Sequence, residues 1–246
     1  MPFIIALAAL LLITLFFYLV LSKLEKEKTE FFYVLAHRFR SPISIIKWYV
    51  ELISDKSIGT LNDKQNEYLN EIYKASQNLS DIIDSLLILL LIESGKLSLK
   101  TQTTNIKELI DQIIAKQQFS IKRRKLHLEK IYPKDKELVV QADPKILYII
   151  LQNLVANAVK YTPQDGNISI KVDADNKNLM LEIQDTGYGI PKKKKSRILA
   201  NSVSSKDMGF SLYLVKRILR KIRGKISFKS EENKGTTFYI TLPIGY

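Results

Sequence analysis

Two apolar stripes at helical spacing constrain this chain more than any other feature. The first runs Phe32, Leu35, Phe39, Ile43, Ile46, Val50 and Ile53, with gaps of three and four that trace one face of an α-helix. Asp55-Lys-Ser-Ile-Gly-Thr interrupts it, as a turn does. The second stripe runs Leu69, Ile72, Ser76, Leu79, Ile83, Leu86 and Leu90 and stops before Glu93-Ser-Gly. Two such helices make a hairpin whose seam has too little to bury against. Pairing two hairpins into a four-helix bundle covers it, so a homodimer is the physical expectation.

Upstream, Phe3 to Leu21 is an uncharged apolar run of nineteen residues. As a helix it is about 28 Å long, close to the ~30 Å of a bilayer's hydrocarbon core. Met1-Pro2 supplies no basic n-region and Leu-Ser-Lys-Leu-Glu-Lys supplies no small-residue cleavage site, so a removable signal is disfavoured. Lys23, Lys26 and Lys28 follow the run, and the positive-inside rule then predicts a single-pass anchor in the cytoplasmic membrane. Its N-terminus would lie outside, with no extracytoplasmic domain, and the remainder in the cytoplasm.

Composition removes several classes of function. The chain has no cysteine and two histidines, which excludes thiolate chemistry and disfavours a histidine-rich metal site. Its net charge of +13 is partly local, with twelve Lys/Arg against the single acid Asp207 between Lys192 and Lys225. Such a block suits phosphate groups, an acidic partner or lipid, and equally a plain solvated face. No zinc spacing, basic zipper or aromatic–basic signature points to nucleic acid.

The expected organisation is α+β, with residues 1–22 as a transmembrane helix, 23–94 as the hairpin and 95–246 as a mixed domain. In the last, Lys96–Lys100 reads as a short strand and Asn105–Phe119 as a helix with an asparagine cap. Leu126–Glu129 and Glu137–Gln141 have strand character. A helix starts at Asp143-Pro144, with a cap and a first-turn proline, and continues to about Tyr161. Four more strands (Ile168–Val172, Leu179–Gln184, Lys225–Lys229, Thr236–Leu242) and a helix from Leu212 to Ile222 complete an α/β sandwich, helices on one face of a mixed sheet.

Asn153, Asn157 and Lys160 share one face of the helix from Asp143, beside an apolar stripe. Two amides and a lysine so placed suit a hydrated Mg²⁺ and phosphates, or simply solvent. Asp185-Thr-Gly-Tyr-Gly-Ile-Pro adds a strand-end carboxylate followed by glycines that permit close backbone approach, to a ligand or within a tight turn. On the first hairpin helix, His37-Arg-Phe-Arg-Ser-Pro42 places an imidazole off the seam, ahead of a proline that frees the Arg38 carbonyl and bends the helix.

These motifs, in this order and with Asn153–Tyr161 and Gly235–Phe238, resemble a sensor histidine kinase of bacterial two-component systems, from about Ser22 onward. The later domain is similar to the ATP site shared with Hsp90 chaperones, DNA gyrase and MutL-type ATPases. The resemblance implies ATP and Mg²⁺ as cofactors, His37 as the nucleophile toward the γ-phosphate, and Ser41 as a water-orienting residue for dephosphorylation. It implies Asp185 on the adenine amino group and Asn157 on Mg²⁺. Asn153, Lys160, Tyr161, Gly187, Gly189, Ile190, Gly209, Ser211, Leu212 and Thr236 fall on nucleotide-contacting positions. The partner would be the aspartate of a response regulator in trans.

Two departures stand out. Arg38 occupies the place where the family carries an acid, and an arginine cannot accept a proton. In Asp207-Met-Gly-Phe-Ser-Leu only Gly209 remains of three glycines, and Asp207 would repel a triphosphate unless Lys192–Lys195 offset it. A catalytically weak or inactive member, acting as a phosphatase or a dimerising interaction protein, is therefore the alternative reading.

Overall fold

The computed structural model describes residues 2–55, 59–193, 195 and 209–245. The chain divides into two compact units, Met1–Leu97 and Ser98–Tyr246.

The first unit is a hairpin of α1 (Pro2–Ser54) and α2 (Asp63–Glu93). The apolar run Phe3–Leu21 is the N-terminal part of α1, which continues without a break through Pro42. A capping box starts α2: the Asn62 side chain accepts the Gln65 N–H and the Gln65 side chain accepts the Asn62 N–H, each at 2.9 Å. At the other end Gly95 takes φ 68°, the left-handed conformation that closes a helix.

The stripe read as one seam divides into two faces. Ala36, Ile43 and Val50, spaced by seven, are buried with Ser76, Ile83, Leu87 and Leu90 of α2. Phe32, Phe39, Ile46 and Ile53, also spaced by seven, are exposed, as are Ile72 and Leu79. The first set closes the hairpin, and the second is an apolar face that the hairpin does not cover itself. Polar contacts cross between the helices, among them Arg40 Nη2 to Asp84 Oδ1 at 2.5 Å, Lys47 Nζ to Gln77 Oε1 at 2.7 Å and a side-chain hydrogen bond between Tyr73 and Glu51. An exposed ion pair such as Arg40–Asp84 stabilises little and mainly favours one register. Among the described residues α2 meets the length and hydropathy of a membrane span. Part of that apolar surface, Ile83, Leu87 and Leu90, is buried in the hairpin, while Ile72, Leu79 and Ile82 remain exposed.

The second unit opens with β1 (Gln102–Asn105) and α3 (Ile106–Arg123), followed by β2 (His127–Ile131), β3 (Val139–Ala142) and α4 (Pro144–Tyr161). Next come β4 (Asn167–Ala174), β5 (Asn178–Asp185), α5 (Gly209–Lys221), β6 (Lys225–Glu231) and β7 (Gly235–Pro243). The main sheet has the order β2-β4-β5-β7-β6, with β2 and β4 parallel and the other neighbours antiparallel. It is the mixed sheet expected.

The expected strand at Lys96–Lys100 is not formed. That stretch follows the end of α2 and lacks a partner strand, and the Lys100 N–H is bound by Asp143 Oδ2 at 2.9 Å instead. Pairing starts at Gln102, where β1 and β3 form a separate two-stranded sheet. The cap at Asn105 is present, accepting from Lys107 and Glu108, but α3 extends one turn beyond Phe119 to Arg123.

One face of the sheet is covered. Along β4, Ile168, Ile170 and Val172 are buried while Asn167 and Lys171 are exposed, and Leu179, Leu181 and Ile183 continue the buried face on β5. Against it lie Leu147, Ile150, Leu151 and Leu154 of α4 and Leu214, Val215 and Ile218 of α5, each no more than 1% exposed. Burying each such side chain contributes about 1.5–3 kcal/mol. The consequence for the site is that the C-terminal turn of α4 and the end of β5 are held rigidly side by side.

Candidate nucleotide site

Asp185 ends β5, paired with Ile168 of β4 and Thr236 of β7. It is 6% exposed, one of few charged groups buried among the described residues. Its Oδ1 accepts two backbone hydrogen bonds, from Gly187 at 2.9 Å and Thr236 at 3.3 Å. Burial raises its pKa from the ordinary carboxylate value, and these two N–H donors oppose the rise. Among the described residues Oδ2 takes no hydrogen bond, which leaves it as an acceptor for a ligand.

Around this carboxylate is a cleft lined by Asn157 and Tyr161 of α4, Asp185, Gly189 and Ile190 after β5, Leu212 of α5, and Thr236 and Phe238 of β7. Seven of these eight are among the expected nucleotide contacts. Phe238 is the eighth, the last residue of the Gly235–Phe238 motif but not one of those expected contacts. Gly187 sits beside the cleft as a donor to Asp185.

The two glycines serve the chain's own packing. Gly189 has φ +63°, and a Cβ there would lie 1.9 Å from the Glu231 carbonyl oxygen. At Gly187 a Cβ would lie 2.5 Å from the Tyr161 carbonyl oxygen and 2.6 Å from Asp185 Oδ1. The turn is fixed further by Ser230, whose Oγ accepts the Ile190 N–H at 2.8 Å and lies 2.9 Å from Thr236 Oγ1. Lys195 Nζ donates to the Ser230 carbonyl.

Other expected residues stand back from the cleft. Asn153, one turn earlier on α4, donates its Nδ2 to the Ile149 carbonyl at 2.7 Å. Lys160 is exposed, its Nζ 5.0 Å from the centre of the Tyr161 ring. Gly209 opens α5 and Ser211 follows it, without lining the cleft. Residues 196–208, which include Asp207 and most of the expected phosphate lid, lie outside the described residues, as does Lys194.

Arg124 is a site-building residue with no local sequence signal. Its guanidinium donates to the carbonyls of Val159 at 2.6 Å, Lys160 at 3.0 Å and Thr162. Val159 and Lys160 belong to the last turn of α4 and Thr162 is its C-cap, where carbonyls have no partners within the helix. A cation reaching them from the end of α3 fixes the turn that presents Asn157 and Tyr161.

In the hairpin unit His37, Arg38 and Ser41 are all exposed on α1. Neighbouring Ala36 is buried, so the backbone beside the imidazole is held by packing while the side chain is exposed.

Two family models match the chain. Residues 27–95 match the His Kinase A (phospho-acceptor) domain, and residues 142–246 match the histidine kinase-, DNA gyrase B- and HSP90-like ATPase. The chain belongs to the sensor histidine kinases.

Among relatives in that family, the histidine-protein kinase BarA of Escherichia coli K12 is 31% identical over 225 residues, 86% of this chain and 24% of BarA. The heme sensor protein HssS of Staphylococcus saprophyticus is 27% identical over 226 residues, 90% of this chain and 48% of HssS. The chain thus spans about a quarter to a half of the length of such relatives. Full-length ShkA, solved with AMPPNP, has the same fold, with a TM-score of 0.68 at 21% identity over 87% of this chain and 45% of ShkA. The kinase ThkA, solved with its response regulator TrrA, superposes with a TM-score of 0.56 at 22% identity over 85% of this chain and 60% of ThkA.

The cleft's donor set fits the nucleotide that these domains bind. Ile190, Leu212 and Phe238 give the cleft an apolar wall, and Asp185 Oδ2 is an acceptor of the kind an exocyclic amino group pairs with. For a metal ion, Asn157 offers a single amide oxygen. No cluster of three His, Asp or Glu side chains occurs among the described residues. That is compatible with Mg²⁺, which commonly takes few protein ligands and completes its shell with phosphate oxygens and water.

Proposed function

We propose that the chain is an ATP-dependent protein-histidine kinase that phosphorylates His37 and passes the phosphoryl group to an aspartate of a response regulator. The observation that carries this reading is the buried Asp185, which lines the cleft with one oxygen bound by two backbone N–H groups and the other without a hydrogen bond among the described residues, in a chain that also presents His37 on an exposed helix face. The ShkA and ThkA structures, with a nucleotide analogue and a response regulator, support ATP and a regulator as partners.

In this reading a neutral His37 ring nitrogen attacks the γ-phosphorus. The bond from that phosphorus to the bridging oxygen breaks, and ADP leaves with the electron pair. The other ring nitrogen then gives up its proton to solvent or a base. Asn157, with phosphate oxygens, would hold Mg²⁺, which offsets charge on the leaving group. Arg38 stands where an acid would accept the ring proton, and a guanidinium supplies no such acceptor. Ser41, one turn beyond His37, orients water for dephosphorylation of the response regulator.

The anchor in this account is Phe3–Leu21, crossing the cytoplasmic membrane once with its N-terminus outside. Its length, its lack of charge and the lysines that follow support it. The working form is a homodimer, supported by the uncovered face of Phe39, Ile46, Ile53, Ile72 and Leu79.

Arg38 favours a second reading, a weak or inactive kinase that acts as a phosphatase or a dimerising partner. Incubation of the membrane-reconstituted chain with γ-labelled ATP separates the two. Acid-labile, alkali-stable label supports the kinase, while no label with nucleotide bound supports the second reading.

A further inference from the structure

The charge of this protein is divided unevenly. Residues 1–97 carry ten Lys/Arg and eleven Asp/Glu, net −1, whereas residues 98–246 carry 28 and 14, net +14. Part of that excess surrounds an unusual side chain. Phe119, on the outer face of α3, is 67% exposed, the highest value among the large apolar side chains described. Lys116 precedes it by one turn, and Lys122, Arg123 and Lys125 follow, all exposed. The Arg123 guanidinium lies 5.9 Å from the centre of the Phe119 ring. The acids of α3, Glu108 and Asp111, are confined to its first half, and Asp111 is paired with Lys130 at 2.6 Å.

A hydrophobic ring among cations fits the boundary of an anionic bilayer, where the ring enters the acyl layer and the cations meet headgroups. The connectivity keeps this unit close to such a surface. From Leu21 to Glu30 is nine residues of continuous helix, about 14 Å. Lys96 Nζ lies 4.0 Å from Glu30 Oε1, so the hairpin hands the chain on at that same level. Ser98 to Thr101, at most about 14 Å when extended, then leads to β1. A 149-residue unit has a radius of gyration near 15 Å, comparable with its tether.

Given the membrane anchor proposed above, on which this rests, we infer that the surface of Lys116, Phe119, Lys122, Arg123 and Lys125 docks on anionic lipid headgroups of the leaflet in which Phe3–Leu21 ends. The content of anionic lipid then decides whether the nucleotide-binding unit rests on the membrane. The other basic surface, Arg220, Lys221, Arg223 and Lys225, lies at the opposite end of the sheet. Lys225 shares a cross-strand row with Thr241 and Met180, while His127 at the α3 end pairs with Asn167. Met180, within that row, is 40% exposed, against 67% for Phe119.

The absence of cysteine lets a single introduced thiol report each position. The full chain would be placed in nanodiscs of phosphatidylcholine, with or without phosphatidylglycerol, carrying a nitroxide at Gln118→Cys, Leu12→Cys or Ser227→Cys. Spin-resonance accessibility to oxygen against a water-soluble nickel complex reads lipid against water. At position 118 the expected result is a severalfold shift toward oxygen in phosphatidylglycerol discs only, reversed by high salt and by Phe119→Ser. Each of Lys122→Gln and Arg123→Gln should lower the docked-to-free ratio about fivefold.

No dependence on lipid charge at position 118, with position 12 reporting hydrocarbon, overturns the docking and leaves the anchor intact. Water at position 12 overturns the anchor and the docking with it. A lipid response at position 227 in place of 118 assigns the wrong surface. A response at 118 to added oligonucleotide but not to phosphatidylglycerol gives the patch to nucleic acid and also overturns the inference.

Discussion

Asp185 and Thr236 face one another across β5 and β7, and the Thr236 N–H donates to Asp185 Oδ1 at 3.3 Å. The pair makes one carboxylate oxygen structural and leaves the other for a ligand. Asp185→Asn keeps an oxygen for the two N–H donors but can present an amide donor where an acceptor is required. Hydrogen bonds to charged groups are worth about 1.5–3 kcal/mol, so ATP affinity measured by calorimetry should fall roughly 10- to 150-fold. Unchanged affinity would remove Asp185 from the site.

The same substitution should act oppositely on stability. Burial raises the Asp185 pKa, so the folded state holds this proton more tightly than the unfolded state. The associated stability is present at low pH and is lost as pH rises from the ordinary carboxylate value through the raised one. At neutral pH the ionised group is a cost, and Asp185→Asn should raise the melting temperature. Its melting curve should also lose part of the acid-range pH dependence, and a lower melting temperature at neutral pH would contradict this.

Gly189→Ala should destabilise the second unit by about 1–3 kcal/mol, from a positive φ and a Cβ 1.9 Å from the Glu231 carbonyl oxygen. Thermal denaturation reads the effect directly. Retention of the full melting temperature would show that the turn after β5 is not held as described.

The two faces of α1 predict different failures. Ile46→Glu, on the exposed face, should leave a folded helical hairpin that sediments as a monomer in detergent. Ile43→Glu, 3% exposed in the seam with α2, should unfold the hairpin itself. A dimer that persists in Ile46→Glu would place the dimer contact elsewhere.

Arg38→Glu supplies a proton acceptor beside His37. General-base catalysis is worth about 10²–10⁴-fold, so the rate of autophosphorylation should rise measurably. A clear fall would instead make Arg38 a group that stabilises the incoming phosphate.

Much of this molecule could be read from short-range patterns. Asp143-Pro144 marks the start of α4, and from it the face bearing Asn157 follows by helical spacing. The motif from Asp185 to Ile190 places the carboxylate and its turn. Features made by residues distant in sequence were not legible. Arg124 reaches the end of α4 from 35 residues earlier, and Ser230 looks like an ordinary strand position. The alternation of Leu97 and Leu99 with Ser98 and Lys100 resembles a strand, yet pairing depends on a neighbour that local sequence does not reveal. The two faces of α1 were merged because one apolar stripe at 3-4 spacing is broad enough to contain both.

Labelling of the chain by ATP shows whether His37 accepts the phosphoryl group. The full chain in lipid nanodiscs is incubated with γ-labelled ATP and Mg²⁺, beside His37→Gln, and the label is followed through acid and alkali treatment. The account predicts slow labelling of the natural chain that survives alkali, is lost in acid and is absent from His37→Gln. Label that resists acid, or that persists in His37→Gln, would contradict it.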